Sequence, residues 1–246
     1  SNGVELSLNT VNIKTKDFTW STDFIYSHMH NEVTELNTYN RLYDYISGYG
    51  FTMPGYPQRS LFSIPFAGLN NEGLPTFYDP DGNITVTGID MQEYDHERLK
   101  FLKYEGPADP TDVGSFGNIF RYKNLTLNLF ITYSFGNVVR LDPVFSSSYS
   151  DLSATPKEFN NRWIKPGDEK YTNIPVIASK QQLNNIAYLD RAYQSYNYST
   201  ARVAKGDFIR MKEISLAYEF PKTITQALNI ANLSLKLQAT NLFLLY

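Results

Sequence analysis

The sequence predicts an all-β fold: a partial antiparallel transmembrane β-barrel of about eight long strands, with short periplasmic turns and long extracellular loops. Three observations predict it. First, 19 Tyr, 16 Phe and 2 Trp make the chain 15% aromatic, yet charged residues reach only 19% and the mean hydropathy is −0.37. Aromatics in a polar background are a strand-forming composition, shared by β-sandwiches, lectin-like modules and outer-membrane barrels alike. Second, apolar and polar residues alternate with period two over long runs. Third, the connections between these runs are alternately short and long, and such alternation is how a membrane barrel is built.

The runs come in order. Val4, Leu6 and Leu8 alternate with Glu5, Ser7 and Asn9; Phe18, Trp20, Phe24 and Tyr26 share a face opposite Thr19, Ser21 and Asp23. Two further strands are expected between Ser60 and Pro80. A fifth ends at the Lys123-Asn124 turn, and a sixth carries Leu125, Leu127, Leu129, Ile131 and Tyr133 as one apolar row. Ile214, Leu216, Tyr218 and Phe220 mark the seventh; Leu233, Leu235 and Leu237 mark the eighth. Ordinary strands run about 5–6 residues, whereas a tilted membrane strand needs about 9–11, and these runs have the longer measure. Val11 to Asp17 and Pro221 to Ala231 are short connections, the latter with a helical touch. Asn31 to Ser60, Pro80 to Gly114 and Gly136 to Gly206 are long loops rich in Gly, Pro, Asn and Asp. The apolar rows are expected to face lipid and the polar rows the lumen.

Composition also excludes. With no cysteine there is no disulfide, no thiolate nucleophile and no Cys-based metal site. A net charge of −3 without a basic run points away from nucleic acid. No apolar stretch approaches the roughly 20 residues of a membrane helix.

Several segments together resemble the SusC/RagA family of TonB-dependent outer-membrane importers of Bacteroidetes. They are Gly3 to Thr10, Lys16 to Ser21, Phe66-Ala67-Gly68-Leu69-Asn70, Phe77 to Asn83, Tyr104 to Pro110 and Phe116 to Leu125. Arg162-Trp163-Ile164-Lys165-Pro166-Gly167-Asp168-Glu169 is similar to the family's RWxKPGDE element, Asp207 to Tyr218 to its penultimate-strand signature, and Asn241-Leu242-Phe243 to its late NLF. The resemblance implies that residues 1–246 are a C-terminal portion of the barrel, with the plug, TonB box, first half of the barrel and closing strand outside it. It implies import of oligosaccharides or peptides with energy from TonB-ExbB-ExbD, a SusD-like surface lipoprotein as partner, outer-membrane lipid around the wall, no cofactor and no catalysis. The opening Ser1-Asn2-Gly3-Val4 reads as cut from something longer, and a fragment of a barrel is not expected to transport alone.

Candidate site residues are few. His28 and His30, two apart on a strand, share a face and would need Asp95 or His96 as a third metal ligand; a polar rim is the plainer reading. Asp79-Pro80-Asp81-Gly82-Asn83 starts like a calcium loop but lacks the glutamate six residues after the glycine, and reads as a turn. Glu93, Asp95, His96 and Glu97 read as a solvated charged face, and no P-loop, G-x-S-x-G or H-E-x-x-H occurs. The loop aromatics carry more: Tyr43, Tyr45, Tyr49 and Tyr56 in one loop, Trp163, Tyr193 and Tyr196 in another. A tyrosine offers a flat apolar face and one hydroxyl, suited to a sugar ring or a protein partner. The alternatives are that they brace the long loops or form an outer aromatic girdle; Arg162, Trp163, Lys165 and Asp168 could equally contact the lipoprotein lid or brace their loop. Two other classes stay open: a secreted β-sandwich that binds carbohydrate, and an all-β glycoside hydrolase. A barrel leaves Leu125, Leu127 and Leu129 outward; a sandwich buries them.

Overall fold

The computed structural model describes residues 1–245 apart from Tyr39, Tyr49 and residues 146–155. The chain forms two compact units: residues 1–31, 110–137 and 206–246 in one, and 32–109 with 138–205 in the other. Thirteen strands are defined among the described residues. They are β1 (Asn2–Lys14), β2 (Phe18–His30), β3 (Ser60–Ser63), β4 (Phe66–Leu69), β5 (Pro75–Tyr78), β6 (Ile84–Thr85) and β7 (Lys103–Pro107). β8 (Asp112–Tyr122), β9 (Leu125–Phe135), β10 (Val138–Arg140), β11 (Val203–Lys205), β12 (Phe208–Glu219) and β13 (Ser234–Leu244) follow.

The first unit is one antiparallel sheet ordered β1-β2-β8-β9-β12-β13. Every strand in it has 11 to 13 residues. At about 3.3 Å per residue and a tilt of about 40°, eleven residues climb about 25 Å, the height of a barrel's apolar band. Register carries one apolar row across all six strands: Leu6 opposes Tyr26, and Leu8 opposes Phe24. Phe24 then opposes Phe116, Phe116 opposes Ile131, Leu127 opposes Leu216 and Leu216 opposes Leu237. The row is bounded at the short-turn end by Trp20 stacked on Phe120 at 5.7 Å and Tyr218 edge-on to Phe220 at 5.1 Å. At the other end Tyr133 stacks on Phe135 at 5.7 Å. Within the row, Asn118 is satisfied laterally: the Trp20 Nε1–H and the Thr22 hydroxyl both donate to its Oδ1 at 2.9 Å. Gly114 is required where it stands, because a Cβ there would collide with the Ile25 carbonyl oxygen and with Tyr133. Tyr133 crosses above it to donate its hydroxyl to that same carbonyl at 3.0 Å.

None of this sheet's apolar residues is buried. Among the described residues the 18 buried hydrophobic ones all lie in residues 42–102 and 144–196, that is, in the second unit. Leu235 and Leu237 are 57% and 64% exposed. A sandwich would cover this face with a second sheet; here no core lies against it, and the barrel expectation holds.

The turns obey the sequence. Thr15 closes the β1–β2 turn, its backbone N–H donating to the Phe18 carbonyl at 2.8 Å and its Oγ1 accepting from the Phe18 N–H at 3.0 Å. Lys123-Asn124 joins β8 to β9, with Lys123 at φ 51°. Between β12 and β13 lies a short helix, Lys222–Ala227. The ends of β2, β8, β9 and β12 that carry the long insertions share one end of the sheet, since His28 opposes Asp112 and Asp112 opposes Phe135.

The expected third and fourth wall strands are a correction. Residues 60–78 form β3, β4 and β5, four residues each, in small separate sheets of the second unit. β3 is buried at all four positions instead of alternating, and Pro65, Pro75 and the positive φ of Gly68 and Gly73 break the run. Four residues rise about 13 Å, too little to cross a bilayer. Six wall strands therefore stand in place of about eight, and two long insertions in place of three.

Candidate functional site

The second unit gathers the predicted loop aromatics, and its helices explain their positions. The helices of this unit are α1 (Leu42–Ile46), α2 (His96–Leu99), α3 (Lys180–Asn185) and α4 (Leu189–Asn197). In α4 the buried residues Leu189, Ala192, Tyr193 and Tyr196 fall at i, i+3, i+4 and i+7, one helical face. Tyr193 and Tyr196 are therefore core side chains, each 1% exposed. Tyr193 donates its hydroxyl to the Val176 carbonyl at 2.5 Å and packs on Phe145 at 4.2 Å. Burial holds its hydroxyl far above the usual phenol value, and pushes Tyr196 up to about 12. Ser179 starts α3 through a capping box with Gln182.

Tyr45 and Tyr56 line a cavity of about 480 Å³ together with Leu36, Met53, Phe62 and Leu102. Tyr45 packs edge-on against Phe51 at 5.0 Å, Tyr56 edge-on against Phe62 at 5.1 Å and on Tyr104 at 4.7 Å. The lining is apolar and aromatic, with Thr38 and Lys100 as polar members, and suits an apolar side chain or ring. Tyr43, 37% exposed, stands edge-on to Tyr198 at 5.9 Å. Tyr49 lies outside the described residues.

Trp163 is 8% exposed. Its segment, Arg162 to Glu169, binds itself. Glu169 Oε2 accepts from Trp163 Nε1 at 3.0 Å and from the Gly167 N–H at 2.8 Å. Asp168 Oδ2 accepts from the N–H groups of Ile164 and Lys165 at 3.1 and 3.0 Å. Arg162 donates to the Phe159 carbonyl at 2.9 Å. Gly167, at φ 103°, supplies the left-handed turn that brings both carboxylates back onto the loop. The indole hydrogen bond, first among its partners, holds the Glu169 carboxyl below its usual range.

Two arginines, one buried and one half-buried, carry no signal in the sequence. Arg202, 2% exposed, forks onto Glu158 and donates to the Asp142 carbonyl at 2.6 Å. Arg140 donates from Nη2 to the Phe62 carbonyl at 2.5 Å, and burial lowers its guanidinium to about 10. Neither position has a local pattern that marks it, since both bind backbone carbonyls distant in sequence.

Elsewhere the small motifs are structural. Asp79 Oδ1 accepts from the N–H groups of Asp81 and Asn83 at 2.9 and 2.8 Å, and the segment is a turn with Gly82 at φ 82°. His28 Nδ1 lies 2.9 Å from Asp112 Oδ1, which also accepts the Tyr26 hydroxyl at 2.8 Å; His30 is exposed. No group of three His, Asp or Glu side chains converges among the described residues. Glu93 pairs with Arg98 at 3.1 Å and Glu97 with Lys100 at 2.6 Å, the solvated charge pairs the sequence suggests.

No family model matches the chain. Two curated proteins of Formosa agariphila do. TonB-dependent receptor P39 is 26% identical over 98% of this chain and 26% of its own length; TonB-dependent receptor P3 is 24% identical over 98% and 24%. The backbone is similar to the RagAB peptide transporter, with a TM-score of 0.69 at 21% identity over 99% of this chain and 25% of that one. It is similar to the RagAB peptide importer in its open-open state with a TM-score of 0.67 at 20% identity, covering 99% and 25%. Over nearly its whole length the chain is similar to one part of these TonB-dependent receptors. It spans about a quarter of the length of the curated relatives it matches. The six long strands form one barrel-like sheet, and the two insertions between them form a unit with a core of its own.

Proposed function

We propose that residues 1–246 supply wall and outer loops to an outer-membrane importer, as one portion of its barrel, and carry no catalytic role. The single observation that carries this reading is the uncovered apolar row of the six-stranded sheet, flanked by aromatic residues at both ends. In the whole protein this row meets lipid, and the opposite row of Asp23, Asn128, Glu213 and Lys236 meets a water-filled lumen. Similarity to TonB-dependent receptors supports uptake driven by TonB-ExbB-ExbD, and likeness to RagAB supports a SusD-like surface lipoprotein as partner. The substrate is an oligosaccharide or a peptide; that the RagAB neighbours are peptide importers favours the peptide. Tyr43, Tyr45 and Tyr56, which line cavities, are the aromatic residues placed for ligand or partner contact. Trp163, Tyr193 and Tyr196 act by bracing the loops that hold them.

The test uses single cysteines in the full-length protein in native outer membranes. Leu129→Cys should be shielded from a water-soluble maleimide and quenched by a lipid-borne quencher, and Asn128→Cys should show the reverse. Equal labelling of both would overturn the wall assignment. Loss of oligosaccharide and peptide uptake on deletion of the gene, in cells with TonB but not in cells already lacking it, tests the energy source.

A further inference from the structure

The second unit holds a polar cleft of about 330 Å³ that is separate from the apolar cavity, lined by Arg41, Tyr43, Asp90, Gln92, Arg191 and Gln194. Its three walls are fastened to one another. Backbone hydrogen bonds Leu42 N–H to Glu93 O at 2.9 Å and Tyr43 N–H to Met91 O at 3.0 Å join the start of α1 to residues 91–93. Ile89 N–H donates to Ser195 Oγ at 3.1 Å, which joins the same segment to α4. Gly88, at φ 71°, lies so close to the backbone of Arg191 and Ala192 that no Cβ fits. The cleft is thus preorganised.

Its charges are unevenly matched. Arg41 is bound by Asp44, Nη2 to Oδ1 at 3.1 Å and Nε to Oδ2 at 3.4 Å, and its Nη1 donates to Gln92 Oε1 at 3.2 Å. Arg191 is half-buried with its guanidinium 4.6 Å from the centre of the Tyr188 ring, and has no carboxylate partner among the described residues. Gln194, one turn further along α4, makes no side-chain hydrogen bond there either. Asp90 is exposed, and its Oδ1 accepts the Gln92 N–H at 3.0 Å. The cleft therefore offers a planar five-donor fork beside two amides, with one acceptor close by.

We infer that this cleft is a subsite for a carboxylate whose neighbouring atoms carry a hydrogen-bond donor. Arg191 takes the carboxylate in its fork, Gln92 and Gln194 donate to it from the sides, and Asp90 accepts the adjoining N–H or O–H. A peptide C-terminus and a uronic acid both present this pair of groups. The inference stands on the cleft alone and does not depend on transport.

The experiment measures binding to the purified full-length protein in detergent. The probes are N-acetyl-dialanine against its C-terminal amide, and trigalacturonic acid against its methyl ester. A carboxylate probe should bind at least tenfold more tightly than its neutral twin, less so at high salt, and Arg191→Gln should erase the preference while the thermal unfolding midpoint, the folding control, stays as in the wild type. Whichever pair shows the preference names the source of the carboxylate. If neither pair shows one, or if the preference survives Arg191→Gln, the inference is overturned.

Discussion

Glu169 shows how much one side chain can organise. Its Oε2 holds the Trp163 indole and the Gly167 N–H at once, while the neighbouring Asp168 holds the N–H groups of Ile164 and Lys165. That carboxyl titrates lower in the folded loop than in the unfolded chain. Its stabilisation is therefore complete above the unfolded carboxylate pKa, about 4.3, and is lost as pH falls through the lower folded value. Trp163 fluorescence, read in the full-length protein with Trp20 and any further tryptophan replaced by Phe, should be flat from neutral pH down to about 5 and change only in strongly acid solution. Glu169→Gln should remove that acid transition; a transition that persists unchanged would mean that another group controls it. The residue types of this loop were readable in the sequence, and so was the choice between brace and contact. What the sequence does not carry is the three-dimensional observation that supports the brace: the side chains of Arg162, Asp168 and Glu169 bind the backbone of their own stretch of chain.

Elements were legible to the degree that one side of them was uniform. The wall strands announce themselves because their apolar residues stay uncovered and alternate with polar ones over most of their length, so period two survives. β3 to β5 do not, because a strand buried on both faces in a small core loses the alternation by which a reader finds it. Helix α4 was hidden differently. Leu189, Ala192, Tyr193 and Tyr196 repeat at helical spacing, but a cluster of tyrosines draws attention as a binding surface before it is counted as a stripe. The helix reading has a direct consequence. Tyr193→Phe should cost about 1 kcal/mol for the lost hydroxyl bond, and Tyr193→Ala about 3–5 kcal/mol for the cavity left behind. Limited proteolysis of the full-length protein should then cut within residues 160–205 more readily in the alanine variant than in the phenylalanine one. Equal resistance of both variants would show that Tyr193 is not a core residue.

At the scale of the molecule, the separation of two chemistries is what the composition hinted at and could not resolve. A 15% aromatic, low-hydropathy chain is the average of a sheet that leaves its apolar residues uncovered and a unit that holds the buried hydrophobics found among the described residues. That unit is sewn from two stretches of chain with a wall hairpin, β8 and β9, between them. Ile89 reaches Ser195 and Phe66 reaches Thr200 across it, and one core takes Leu42, Phe62 and Phe77 from the first stretch and Phe159, Leu189 and Tyr196 from the second. Neither stretch can fold on its own terms, so the two are inherited as one. A chimaera that takes only residues 32–109, or only 138–205, from a distant relative inherits half a core and should fail to reach the outer membrane intact. One that takes both should arrive folded, so the two insertions exchange as a pair while the strands that carry them stay as they are.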